Sequence, residues 1–156
     1  MYIASPRHLP TIKQLHEYWT RCCGARAVPR RADIDPAEIP HLLPKIYLVD
    51  IERDPFRVRY RVVGTEAVQW QGRDFTGYYL DELRFNKPDE ILALYRGAAE
   101  EKVPTFRSTT WPMPSGITRA VETGVFPLSE DGEHVTQCIA IEDFEEFRDP
   151  TYLPWE

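Results

Sequence analysis

Residues Arg57 to Val63 read Arg-Val-Arg-Tyr-Arg-Val-Val, an alternation with the period of a strand and not of a helix. Val58, Tyr60 and Val62 share one face, and Arg57, Arg59 and Arg61 share the other. Such a strand needs neighbours in a sheet, and the nearest lies just upstream. Lys45 to Ile51 is rich in β-branched and aromatic residues with apolar side chains on both faces. Arg53-Asp54-Pro55-Phe56 between the two runs is turn chemistry, so they form a hairpin.

The flanking segments alternate between helical and extended patterns. Thr11 followed by Gln14 has the spacing of a capping box, and Ile12, Leu15, Trp19 and Cys22 recur at helical spacing until Gly24. This predicts an amphipathic helix of about three turns whose apolar face covers either the chain's own sheet or a second copy. Asp35, Pro36 and Glu38 supply a cap, a first-turn proline and a first-turn acid for a short helix ending before Pro44. After Gly64, the stretch Thr65 to Leu83 reads as short helical pieces broken by Gly72 and Gly77. A longer helix follows, capped by Asn86, with Pro88 in its first turn. Ile91, Leu92, Leu94, Tyr95, Ala98 and Ala99 form its buried face. Thr105 to Trp111, Thr118 to Leu128 and Glu133 to Ile141 then read as three strands. Their hairpin loops are Pro112 to Gly116 and Ser129 to Gly132. The order predicts an α+β fold with a single antiparallel sheet.

Composition limits what such a domain does. With 25 acidic against 19 basic residues the net charge is −6, which opposes binding to nucleic acid or to anionic membranes. The longest apolar runs, such as Ile46 to Val49, are too short to span a bilayer. Arg7, Lys13, Glu17 and Arg21 interrupt what would be the apolar stretch of a leader peptide, so the expected location is cytoplasmic. Three cysteines, two of them adjacent, make neither a disulfide framework nor a spaced metal motif. The 14 prolines form no tract and fall mostly at helix starts and strand connections.

The element order, together with Arg59-Tyr60-Arg61-Val62-Val63-Gly64-Thr65-Glu66 and Asp74-Phe75-Thr76-Gly77-Tyr78-Tyr79-Leu80-Asp81-Glu82-Leu83, resembles a PAS domain. With Pro29 to Pro36 and Leu42-Leu43-Pro44, the likeness extends over roughly residues 15 to 142, to a short PAS-like family of mainly alphaproteobacterial proteins of largely unknown function. The resemblance implies a five-stranded antiparallel sheet with helices on one face, plus the N-terminal amphipathic helix. Residues 1–28 would be an extension, 29–142 the sensor domain and 143–156 a tail. It also implies a sensory or regulatory module, not an enzyme, that binds a small molecule or partner and signals through association. The alternatives are an adaptor with no ligand and a small enzyme on the same scaffold. From the length of 156 residues the expectation is a sensor without an attached output domain. The cofactor is open. No Asn-Cys-Arg motif of the flavin-binding light sensors occurs between Gly64 and Leu83, and no histidine of the haem-binding kind occurs in residues 86–102, so both groups are disfavoured.

In a PAS arrangement the strands and the long helix enclose a cavity. Tyr60, Trp70, Phe75, Tyr95, Phe106 and Trp111 are candidates to line it, with Ser108 and Thr110 as polar contacts; the plain alternative is that the aromatics fill the core. Arg57, Arg59 and Arg61 form a cationic row, with Arg107 and Arg119 as candidates to join it on the same sheet, suited either to a solvated sheet face or to an acidic partner segment or anionic nucleotide. Leu15 and Trp19 on the N-terminal helix are candidates for a homodimer contact. Cys22 or Cys23 with His16 or His41 is the nearest approach to a nucleophile and base, and Asp33, Asp35 and Glu38 are better explained as helix-start acids than as a metal site.

Overall fold

The computed structural model describes residues 8–85, 87–112, 116 and 118–144, with the side chains of 111 and 112 excepted. The expected Asn86 cap, most of the loop after Pro112 and nearly all of the expected tail lie outside the described residues. Eight main elements occur: α1 (Pro10–Cys23), β1 (Ile46–Glu52), β2 (Arg57–Val63), α2 (Thr65–Gln71), α3 (Pro88–Glu101), β3 (Thr105–Pro112), β4 (Thr118–Leu128) and β5 (Gln137–Phe144). Short 3-10 turns at Arg31–Asp33, Pro36–Glu38, Leu43–Lys45 and Leu80–Glu82 fill the connections. The strands make one sheet in the order β2-β1-β5-β4-β3, every neighbour antiparallel.

The sheet is covered on both faces. On the inner face Tyr47, Val49, Val58, Tyr60, Val125, Cys138 and Ala140 pack against α2, α3 and the Leu80 turn, through Ala67, Leu80, Leu94, Tyr95, Ala98 and Ala99. On the outer face Ile46, Phe106, Phe126, Leu128, Ile139 and Ile141 pack against α1 and the segment after it, through Ile12, Leu15, Tyr18, Trp19, Ile34, Ile39 and Leu42. Burying four large side chains of α1 at about 1.5–3 kcal/mol each contributes on the order of 6–12 kcal/mol as an upper bound. That is comparable to the whole stability of an ordinary domain, so the packing of α1 on the sheet is a large contribution to the fold. Gly124 allows the close approach, because a Cβ there would lie 3.0 Å from the Phe126 ring and 3.3 Å from Ile12.

Several local expectations are corrected. α1 begins at Pro10, with Leu9 as an N-cap that makes no side-chain cap; the Thr11 hydroxyl instead donates to Asp143 Oδ2 at 2.7 Å, and Gln14 pairs with His41. Helix–sheet contacts outcompete the local capping box. In β2 the alternation breaks at a bulge opposite Leu48 and Val49, which turns Val62 outward at 51% exposure and Val63 inward. β5 begins at Gln137 and not Glu133, because Asp131 accepts the backbone N–H groups of Glu133 and His134 and holds that segment in a turn. It also runs to Phe144, past the expected strand end at Ile141. Asp35 caps its short turn as expected, accepting from Ala37 N at 3.0 Å.

Candidate functional site

Between the inner sheet face and α3 lies a cavity of about 30 Å³. Its walls are Tyr47 of β1, Tyr60 of β2, Gln71 of α2, Phe85, and Ile91 and Tyr95 of α3. Arg107 and Thr109 of β3, Val121 and Thr123 of β4, and Glu142 of β5 complete it. The volume admits one or two waters. A pocket that buries an organic cofactor is roughly 300–1,000 Å³, so a flavin ring does not fit beside these side chains. The space such a ring would need is filled by aromatic packing. Tyr60 and Phe75 meet edge to face at 4.8 Å, Phe75 and Phe85 at 5.3 Å, and Tyr47 stacks on Phe75 at 6.0 Å.

One side of the cavity is polar, and the strand register explains it. Arg107 pairs with Thr123, and Thr123 with Glu142, so three polar residues form a row across β3, β4 and β5 beneath α3. The Thr123 hydroxyl donates to Glu142 Oε2 at 3.2 Å and the Tyr47 hydroxyl to Oε1 at 3.4 Å. Glu142 sits deep in the domain, and the surface it keeps borders the cavity. Burial pushes its carboxyl above the usual range, against the opposing pull of those two hydroxyls and of Arg107. The phenols of Tyr47, Tyr60 and Tyr95 are likewise pushed up by burial. Arg107 Nε is buried with no hydrogen-bond partner among the described residues; the Glu90 carboxylate lies 3.4 Å away, close enough to attract it but without hydrogen-bond geometry.

Of the residues expected at the site, Tyr60 and Tyr95 line the cavity and Phe75 packs against Tyr60 at its edge. Phe106 does not line it. In β3 the cavity side belongs to Arg107 and Thr109, so Phe106 lies on the outer face with α1, and by alternation Ser108 and Thr110 share that face. Trp70 turns away to meet Phe144 edge to face at 4.6 Å, with Lys45 Nζ 5.2 Å from its ring centroid, while its neighbour Gln71 faces the cavity. The Trp111 side chain lies outside the described residues. Sequence reasoning passed over Thr123 and Glu142 as site residues and placed Arg107 beside the cationic row of β2, not in the cavity. Their only signal is alternation along β3, β4 and β5, and it is ambiguous because both sheet faces are buried.

The partner-binding candidates are occupied within the chain. Leu15 is fully buried, and Trp19 is buried with its indole N–H donating to Pro127 O at 2.9 Å, so the apolar face of α1 covers its own sheet. Arg57 forms a bidentate pair with Asp81 at 2.7 and 2.8 Å, its guanidinium 3.6 Å from the Tyr79 ring centroid. Arg59 Nε donates to Gly77 O at 3.2 Å, and Arg61 Nε lies 3.4 Å from Asp50. The row thus ties β2 to the turn around Leu80 and to β1.

Nor do the cysteines and histidines assemble into a nucleophile and base. His41 contacts Gln14, His16 packs between Phe106 and Phe126, and burial pushes the Cys22 and Cys23 thiols up, away from the reactive thiolate. Among the described residues no group of three or more His, Cys, Asp or Glu could hold a metal ion. None of the described helices is long and apolar enough to cross a membrane.

Directly behind the polar row stands a second set of contacts. Glu122, next to Thr123, points to the outer face, where it accepts the Leu9 N–H at 2.7 Å and pairs with His8 Nδ1 at 2.6 Å; both side chains are buried. Asp143, next to Glu142, accepts from Thr11 Oγ1 and from Lys45 Nζ at 3.0 Å. Consecutive strand residues therefore touch the cavity on one face and the start of α1 on the other.

Comparison with known proteins agrees with this architecture. Similar solved structures include the Rhodobacter sphaeroides LOV protein (9% identity, 76% of this chain and 72% of that one, TM-score 0.52). The PAS domain of Bordetella pertussis BvgS is 18% identical over 72% of this chain and 84% of that one, with a TM-score of 0.50. The dark structure of the blue-light photoreceptor Aureochrome1 LOV is 11% identical over 93% and 89%, with a TM-score of 0.51. At these identities the likeness speaks for the fold alone. A search of curated proteins found no match. Residues 7–139, from just before α1 into β5, match the family described as PAS domain, and the chain belongs to that family.

Proposed function

We propose that this chain is a sensory or regulatory module, without catalytic activity of its own, that binds a small molecule in the cavity beneath α3 and passes its occupancy through the sheet to α1. The observation that carries this reading is the row Arg107, Thr123 and Glu142. Burying polar and ionisable groups costs free energy, and the three do not satisfy one another fully, as the bare Arg107 Nε attests. A hydrophobic row would be the cheaper way to close a core, so a polar one points to a ligand or to bound water.

The relay follows from the strand pleat. A ligand that shifts Thr123 or Glu142 shifts Glu122 and Asp143, which hold Leu9 and Thr11 at the start of α1. Loosened α1 changes the surface offered to another protein, and association in the cytoplasm is the output we assign. The test perturbs the inner row and reads the outer face. Thr123→Val, measured by hydrogen exchange, should change amide protection in α1. Unchanged protection throughout α1, in a variant whose inner core has demonstrably rearranged, would sink the relay.

The small cavity favours a second reading, an adaptor that holds no ligand. Native mass spectrometry of freshly purified protein, with its absorption spectrum, separates the two. A bound small molecule supports the sensor, and a bare chain that no added compound perturbs supports the adaptor.

A further inference from the structure

We infer that the ligand is a small monocarboxylate, its carboxylate gripped by Arg107 beside Thr109 and Thr123 and its short apolar tail set against Ile91 and Val121. This rests on the cavity being the ligand site and adds the chemical class. Among the described residues Arg107 is the one cation lining the cavity, and its side chain is only 14% exposed. Its ion-pair partner Glu90 is itself 54% exposed and meets Nε without hydrogen-bond geometry. A guanidinium offers a planar fork of donors that a carboxylate matches in bidentate fashion, and an exposed glutamate at the rim is a displaceable stand-in for such a group.

The rest of the wall suits the same class. Thr109 and Gln71 bring further donors to the polar side, where the single Thr123 hydroxyl proton is already given to Glu142. The other carboxyl on the wall, Glu142, is already held by Thr123 and Tyr47 and makes no hydrogen bond to Arg107, whose ion pair is with the exposed Glu90 at the rim. Ile91, Val121 and Phe85 offer no partner to the outer oxygens of a phosphate but do accept a short alkyl group. A volume of about 30 Å³ encloses only the carboxylate head group, and the alkyl carbons lie in the open part of the pocket, toward the Glu90 rim.

The experiment titrates the full chain with propionate, propionamide and inorganic phosphate at fixed pH and ionic strength, following backbone amides by NMR. Propionate should give saturable shifts at Arg107, Thr109, Thr123 and Glu142, with propionamide and phosphate giving none. Arg107→Met should weaken propionate roughly tenfold or more, the loss expected for a hydrogen-bonded charged contact. Propionamide or phosphate binding as well as propionate overturns the carboxylate assignment while leaving the cavity as a ligand site. No shift at the cavity with any probe overturns the assignment and counts against the sensor reading too. Because the three probes are compared on the unaltered protein, the result stands even if Arg107→Met does not fold.

Discussion

Gly64 stands at the junction of β2 and α2, and Gly64→Ala tests how tightly the fold is closed beside the cavity. The backbone there has φ −62° and ψ 153°, which alanine adopts freely, so any cost must be steric. A Cβ would lie 2.3 Å from Pro44 O and 2.6 Å from Leu43 O. Ordinary contact needs about 3.4 Å, so the 3-10 turn must retreat by about 1 Å, and it is backbone that must move, not a side-chain tip. Overpacking of this kind costs about 1–3 kcal/mol, and rigid backbone puts it at the upper end. Retreat also strains the Gly64 N–H to Ile46 O hydrogen bond of 2.7 Å, adding about 1 kcal/mol. The lower chain entropy of unfolded alanine returns about 0.4–1 kcal/mol. The net loss is about 3 kcal/mol, which for a domain of this size lowers Tm by roughly 6–12 °C. Thermal unfolding followed by circular dichroism measures it, with Gly72→Ala as the comparison. Gly72 has φ 78° and ψ 6° and open space around its Cβ position, so it bears only the left-handed backbone cost of about 1–2 kcal/mol. A Gly64→Ala Tm within about 2 °C of the parent, or no lower than that of Gly72→Ala, refutes the close approach.

Other outcomes follow from the same contacts. Glu142 has a raised folded-state pKa, so the folded protein holds its proton more tightly than the unfolded one and stability falls as pH rises from about 4.5 through the folded value. Glu142→Gln lacks that loss; its Tm advantage over the parent should be absent in acid and grow toward neutrality, and a gap that is constant with pH refutes the account. Trp19→Ala empties a buried site and frees Pro127 O, costing about 3–5 kcal/mol in chemical denaturation; a loss below about 1 kcal/mol would mean α1 is not part of the cooperative core. Glu122→Ala removes the acceptor of Leu9 N–H and the partner of His8, so hydrogen exchange should speed at the first turn of α1 and not in α3. Equal acceleration in both helices would mean a global loss of stability and not a local latch.

Much of the candidate site was hidden for one physical reason. In β3 the residues Phe106, Ser108 and Thr110 and the residues Arg107 and Thr109 are rival choices for the cavity wall, and a large buried phenylalanine argues for the first set. The phenylalanine is buried, but beneath α1, because this sheet has a core on each face. Where both faces are dry, hydrophobic alternation no longer says which face is which, and a one-residue choice exchanges the whole set. The β2 bulge does the same on a smaller scale, moving Val62 to the surface after Val58 and Tyr60 point inward as their spacing predicts.

What the sequence determined by itself is whatever depends on neighbours along the chain. It includes the hairpin of β1 and β2, the broken helical stretch after Gly64, α3 with Pro88 in its first turn, the stop of α1 at Gly24, and from their order the PAS likeness that the family match bears out. Only the tertiary structure decided what depends on distant partners. It laid α1 on its own sheet and tied Arg57 to Asp81. It also set Arg107, Thr123 and Glu142 in one row across three strands. Capping, turns and periodicity act over a few residues and leave a local trace, whereas strand register and the choice of covering face arise from contacts between residues distant in the chain, from 19 apart for Thr123 and Glu142 to 113 for Leu9 and Glu122.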